Sequence, residues 1–221
     1  VNSPNSQGIN AIFLYPLNAL IGSQKKRMHS WCEALGNINY AIYNGNTKNT
    51  APVNKQDKSY PEIISRLGIR ETPPQILFTN PTMLEYLLVR DSDSQILNKS
   101  KGKLRWILLD EAHTLTGSKA TEMALLIRRV VDAFGTEIEN IRFAITSATV
   151  GIGEDEKLKL FMSDLCGINT SKINIIKGGR FLPDIPNDYF NDKFDNPDHA
   201  KDLRSIFFNN ICVNTEEIGS I

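Results

Sequence analysis

Short apolar runs recur along the chain, and each stops at a small or polar residue. Ala11-Ile12-Phe13-Leu14-Tyr15 stops at Pro16, Tyr40-Ala41-Ile42-Tyr43 at Asn44-Gly45, and Gln75-Ile76-Leu77-Phe78 at Thr79-Asn80-Pro81. Trp106-Ile107-Leu108-Leu109 stops at Asp110-Glu111, and Phe143-Ala144-Ile145 at Thr146-Ser147. Nearly continuous apolar runs of this kind fit strands buried on both faces, as in a parallel sheet. Residues 173–176 offer a further strand. Between the runs, apolar residues recur at spacings of three and four, which predicts helices over 19–35, 82–89, 119–134 and 154–165. Gly135 and Gly167 stand just past two of them as stop signals. Strands alternating with helices imply right-handed crossovers and an α/β fold, an open, mostly parallel sheet with helices on both faces.

The texture changes near Gly178, where Pro183, Pro186 and Pro197 stand among Asp and Asn and the apolar period is lost. The expected organisation is one domain over 1–182, then a linker or extension over 183–221 with one last helix at 203–211. The polar segment 44–60 reads as a surface loop. With 221 residues, 41% hydrophobic and 23% charged, the chain has material for a full core and is neither collagen-like nor wholly disordered. No apolar run reaches a membrane span of roughly 18 residues, and no signal-peptide pattern opens the chain. Lys+Arg and Asp+Glu are both 25, so bulk positive charge is not the means of holding a polyanion. Local contacts from backbone amides remain open. Cys32, Cys166 and Cys212 form no CxxC pair, which indicates neither a disulfide framework nor a zinc site and suits a cytoplasmic protein. Trp31 and Trp106 read as core residues, and His29 and His199 as surface residues without ligand-like partners.

In open parallel sheets, ligands bind outside the carboxyl ends of the strands. Those ends here carry Pro16-Leu17-Asn18, Asn44-Gly45, Thr79-Asn80-Pro81, Asp110-Glu111-Ala112-His113 and Thr146-Ser147-Ala148-Thr149. An apolar strand delivering two adjacent carboxylates suits magnesium-dependent nucleotide hydrolysis. One carboxylate can hold a hydrated Mg²⁺, and the other can orient an attacking water. Ser147 and Thr149, 37 and 39 positions beyond Asp110, could bond across to His113, or could cap the next helix.

Together these segments resemble superfamily 2 helicases of the DEAD/DEAH class. Asp110-Glu111-Ala112-His113 looks like motif II and Ser147-Ala148-Thr149 like motif III. Tyr15-Pro16-Leu17-Asn18-Ala19-Leu20 with Gln24 resembles motif Ia, and Thr79-Asn80-Pro81-Thr82-Met83-Leu84 the Thr-Pro-containing nucleic-acid motif. Tyr43-Asn44-Gly45-Asn46-Thr47, Leu115-Thr116-Gly117-Ser118 and Arg128-Arg129 extend the match, which covers roughly residues 9–182 and is similar to the large DEAH-type DNA helicases of the Lhr and mitomycin-repair branches. The resemblance implies a RecA-like, P-loop NTPase fold with ATP and Mg²⁺ as cofactors. It implies that Asp110 coordinates the metal through water and Glu111 positions the hydrolytic water. His113, Ser147, Ala148 and Thr149 would couple nucleotide state to movement. It places Pro16, Asn18, Gln24, Gly45, Thr47, Thr79, Asn80 and Pro81 along one strand of DNA, with RNA possible. A second RecA-like domain of the same protein would be the partner lobe, and no membrane is involved.

One element of the pattern is missing. The phosphate-cradling GxxxxGK[ST] loop of this class has no counterpart, for no Gly-Lys-Ser or Gly-Lys-Thr occurs in the chain. The expectation is a first motor domain whose phosphate loop lies upstream of Val1, and which by itself turns over almost no ATP. The alternatives are a non-catalytic RecA-like scaffold that binds nucleic acid or a protein, and a metal-dependent nuclease or phosphohydrolase using Asp110, Glu111 and His113. The last lacks a second clustered acidic motif.

Overall fold

The computed structural model describes residues 7–51, 61–147 and 155–176. The expected linker and helix beyond 182, and Ala148, Thr149, His199 and Cys212, lie outside the described residues. The elements are β1 (Ala11–Leu14), α1 (Asn18–Leu35), β2 (Tyr40–Tyr43), β3 (Glu62–Ile63), α2 (Arg66–Glu71), β4 (Ile76–Thr79) and α3 (Pro81–Val89). They continue with α4 (Ser94–Ser100), β5 (Trp106–Leu109), α5 (Ser118–Ala133), β6 (Arg142–Ile145) and α6 (Asp155–Cys166). The strands form one sheet in the order β3-β2-β4-β1-β5-β6, and every pairing is parallel.

Alternate residues of the central strands enter two separate cores, as a pleat requires. Ile12, Leu14, Ala41, Tyr43, Leu77, Ile107 and Leu109 face one side, packed with Met83, Leu84 and Leu87 of α3 and Leu126, Ile127 and Val130 of α5. Tyr15, Tyr40 and Phe78, with Phe13, Ile42 and Ile76 at their margin, face the other side against Ile21, Met28 and Cys32 of α1. The rings of Phe13 and Phe78 stack at 4.7 Å across β1 and β4. Only α1 among the described helices joins that second core, and its cluster does not extend to β5 and β6. Trp106 is 39% exposed there, and Leu108 and Ala144 are half-buried.

Several readings need correction. Residues 173–176 are not a strand; a short 3-10 turn over Thr170–Lys172 precedes extended, unpaired chain. Trp31, at 55% exposed, and Trp106 are not core residues. Trp31 lies on the outer face of α1, and Trp106 begins β5 with the Arg142 guanidinium 5.5 Å from its ring. His29 is partly exposed, and its Nδ1 lies 3.2 Å from the Tyr40 hydroxyl and its Nε2 3.4 Å from Glu33. Cys32 and Cys166 are buried, as small apolar fillers would be.

Candidate functional site

The register sets the site. Leu14 pairs with Thr79 and with Leu109, Tyr43 with Thr79, and Leu109 with Ile145. These five residues therefore form one row across the sheet, and the next residue of each strand, Tyr15, Asn44, Asn80, Asp110 and Thr146, stands on a single rim. Hydrogen bonds carry the ladder to that edge. Tyr15 N–H donates to Thr79 O at 3.1 Å, Asp110 N–H to Leu14 O at 3.0 Å, and Thr146 N–H to Leu109 O at 2.9 Å. The acidic pair and the polar turns predicted from sequence are on the same side. Three strand spacings separate the end of β5 from the end of β2, about 14 Å.

At the β5 side the chain leaves Leu109 into Asp110 and then turns sharply. Glu111 adopts φ 55 and ψ 43, the left-handed region, which is unusual for a residue other than glycine. A short 3-10 turn over Ala112–Thr114 follows, and Thr114 Oγ1 donates back to Glu111 O at 2.8 Å. His113 Nδ1 lies 3.1 Å from Glu111 Oε2, with both side chains about one-third exposed. Asp110 Oδ1 accepts a short hydrogen bond from the Thr146 hydroxyl. Close by, Tyr15 is 7% exposed. Burial and then the Asp110 charge raise its phenol pKa against the opposing pull of Arg27.

The carboxylates do not cage a metal: no group of three His, Cys, Asp or Glu among the described residues could hold an ion. Mg²⁺ bound to a nucleotide needs little more than one carboxylate, waters and phosphate oxygens. Asp110, half-buried with only Oδ1 bonded among the described residues, fits that demand.

Toward the other end of the rim, the predicted contact residues divide into exposed groups and groups used internally. Pro16 and Asn18 are exposed, and Gln24 is partly exposed along α1. Asn80 caps α3: its Oδ1 accepts Met83 N–H at 2.8 Å, and Pro81 occupies the first turn. The helix thus opens at Pro81, one residue before the sequence suggested, because an Asn-Pro pair supplies both cap and preset φ. Asn80 Nδ2 also donates to Asn18 Oδ1 at 2.8 Å, tying the starts of α3 and α1 together.

Thr79 is fully buried, and its hydroxyl donates to Tyr43 O at 2.7 Å. It therefore locks β4 to β2, and its side chain does not reach the surface as a contact residue would. Thr47 Oγ1 donates to Ile42 O at 2.8 Å and accepts Asn44 N–H at 2.9 Å, closing the turn on which Gly45 sits exposed. Arg66 bolts that turn from α2: Nε donates to Thr47 O at 2.8 Å and Nη2 to Asn44 O at 3.2 Å. Lys25 of α1 pairs with Glu62 at 2.7 Å. Arg129 pairs with Glu85 of α3 at 2.5 Å.

Sequence reasoning missed two features. The hydroxyl reaching Asp110 belongs to Thr146, one residue before the Ser147–Thr149 group. Tyr43 donates a short hydrogen bond to Asp93, a fully buried carboxylate that also takes Arg70 Nε at 2.7 Å. Nothing in local pattern marks Asp93, since aspartate ordinarily reads as exposed.

Comparison with known proteins gives a consistent result. The family model for the DEAD/DEAH box helicase matches residues 1–157. The Druantia protein DruE of Escherichia coli (strain UMEA 4076-1) is 35% identical over 129 residues, covering 54% of this chain and 7% of that protein. The DUF1998 helicase MrfA superposes with a TM-score of 0.52 at 25% identity, covering 72% of this chain and 22% of that one. MrfA bound to DNA and AMPPNP superposes with a TM-score of 0.51 at 25% identity, over 72% of this chain and 19% of that one. The chain therefore spans less than a quarter of the length of these relatives.

Proposed function

Because the chain belongs to the DEAD/DEAH box helicase family and folds as its RecA-like α/β domain, we propose that it is the first motor domain of a longer DNA helicase driven by ATP. The observation that carries this reading is the shared rim. The acidic pair after β5 and the exposed polar turns after β1, β2 and β4 are linked through one rigid row of parallel strands. A change at one end has a short, stiff path to the other. The relative solved with DNA and AMPPNP agrees with both ligands.

In this reading Asp110 would hold a hydrated Mg²⁺, which would supply charge neutralisation on the transferred phosphoryl group. Glu111 orients the attacking water and accepts its proton at a carboxylate oxygen. His113, on the Glu111 carboxylate, keeps that side chain in one orientation. Ser147, Ala148 and Thr149 carry the state of the acidic pair into the following segment. Pro16, Asn18, Gln24, Gly45, Asn80 and Pro81 line the strand's path, and Thr47 and Thr79 hold its floor. The N–H groups at the start of α1, and that of Thr82 in the first turn of α3, are suited to phosphate oxygens, which explains how a domain of zero net charge can grip a polyanion.

The phosphate loop and second motor lobe are assigned to segments outside these 221 residues. The strip of Trp106, 39% exposed, and half-buried Leu108 and Ala144, on which no described helix packs, supports that assignment. A parallel sheet leaves apolar surface open only where another layer packs.

The test is Glu111→Gln in the full-length protein. ATP turnover should fall by at least about 100-fold, the usual weight of a general base, with single-stranded DNA affinity unchanged. Turnover within tenfold of wild type removes Glu111 from the chemistry. Residues 1–221 alone should show no turnover above background, and measurable turnover there overturns the assignment of the missing parts to other segments.

A further inference from the structure

Thr146 directly follows β6 and directs all its polar groups at the exit of the neighbouring strand. Its N–H donates to Leu109 O at 2.9 Å and its carbonyl accepts Ala112 N–H at 2.9 Å. Its hydroxyl donates to Asp110 Oδ1 and accepts Glu111 N–H at 3.3 Å. Four consecutive residues, Leu109 to Ala112, are thus held by one residue of another strand. Within that stretch Glu111 has φ 55, a conformation that a residue with a side chain adopts only when its surroundings impose it. The turn separates the two carboxylates, so whatever secures the turn sets where each of them sits.

We infer that Thr146 is a positioning residue for the acidic pair, and that its hydroxyl ties any displacement of β6 to the Asp110 carboxylate. The two backbone bonds would survive any substitution at this position but proline, which has no N–H. The hydroxyl alone fixes which Asp110 oxygen is occupied, and it leaves Oδ2 without a protein partner among the described residues. A strand-end aspartate without that tether rotates among several carboxylate orientations, and a metal held by a single carboxylate is sensitive to that freedom. Position 146 directly precedes Ser147, so movement passing along 147–149 reaches Asp110 through one side chain. The inference rests on the nucleotide-binding reading of Asp110 and Glu111 and adds a residue to it.

The experiment uses the full-length protein and a fluorescent, non-hydrolysable ATP analogue titrated at stepped Mg²⁺. Thr146→Val keeps shape and backbone bonds and removes the hydroxyl. Thr146→Ser keeps the hydroxyl. The half-saturating Mg²⁺ should rise about fivefold in T146V, which loses both hydroxyl bonds, to Asp110 and from Glu111 N–H, with water partly replacing them, and stay within about twofold of wild type in T146S. Analogue affinity without Mg²⁺ and the melting midpoint should be unchanged. An identical Mg²⁺ dependence in T146V and wild type overturns the inference, as does T146S being as impaired as T146V. A midpoint lowered by more than about 5 °C in T146V, over 1 kcal/mol for a domain of this size, would mark a purely structural role and overturn it too. Wild type binding the analogue without any Mg²⁺ dependence would instead remove the parent reading of Asp110, and the inference with it.

Discussion

Replacing Asp93 by alanine tests whether the rim is held by the buried charge beneath it. Asp93 is fully buried and carries two donors, the short bond from Tyr43 and Arg70 Nε at 2.7 Å. Removing it leaves the Tyr43 hydroxyl, on a fully buried residue, without an acceptor. That costs about 1–3 kcal/mol. It also strands the Arg70 guanidinium, whose side chain is 20% exposed. Breaking a buried pair from one side costs about 3–5 kcal/mol. Arg70 keeps some water and its 3.1 Å bond to Ser92 Oγ, so the lower end applies, and the two penalties overlap.

A loss of about 4 kcal/mol is expected, equal to a fall in melting midpoint of roughly 8–16 °C for a domain of this size. Urea unfolding followed by circular dichroism measures it directly. Tyr43→Phe alone should cost about 1–3 kcal/mol, and the double variant should cost at least about 1 kcal/mol less than the sum, since one bond is deleted twice. The consequence reaches the site through Tyr43, whose ring lies under Arg66 at 5.4 Å while Arg66 holds the 44–47 turn. A cost for Asp93→Ala below about 1 kcal/mol, or strict additivity with Tyr43→Phe, refutes the argument.

Asn80 separates capping from the link to Asn18. Asn80→Ala should cost about 1 kcal/mol of stability through the lost cap. Asn80→Asp should keep the cap and the melting midpoint, yet weaken DNA binding by full-length protein, because it replaces a donor with a negative charge; unchanged binding in both variants would remove Asn80 from the strand's path. Burial raises the Cys166 thiol from its ordinary 9.0 to about 12, and burial likewise raises Tyr15, Tyr40 and Tyr43 above their ordinary 10.0. A raised folded pKa means the native state keeps protons the unfolded chain releases. These groups therefore stabilise fully below pH 9 and progressively less as pH climbs past 9 and 10. Urea midpoints should fall steadily above pH 9, and Cys166 should react with a disulfide reagent at pH 8 no faster than the domain opens; rapid labelling in the folded state would contradict its burial.

How much could be read in advance differs by element. The five apolar runs mark β1, β2, β4, β5 and β6, and the parallel habit follows because each is apolar on both faces. The two-residue β3 is too short to show a period, and α2 and α4, at six and seven residues, fall below the window in which a helical repeat declares itself. The run at 173–176 is as apolar as a true strand. Composition cannot tell whether a neighbouring edge is there to receive it.

The chain's own order thus settled the class of fold, the rim of the sheet on which the candidate site residues stand, and the place of the acidic pair, because hydrophobic period and strand-end position are local properties. Strand order, burial and partnership were decided only in three dimensions. Thr146 meets Asp110 across 36 positions and Tyr43 meets Asp93 across 50, and both contacts exist because β6 lies beside β5 and the turn before α4 folds under β2. Whether a polar residue is a solvated turn, a buried anchor or a metal ligand depends on what stands opposite, and that is fixed by pairing between distant segments, to which no local window has access.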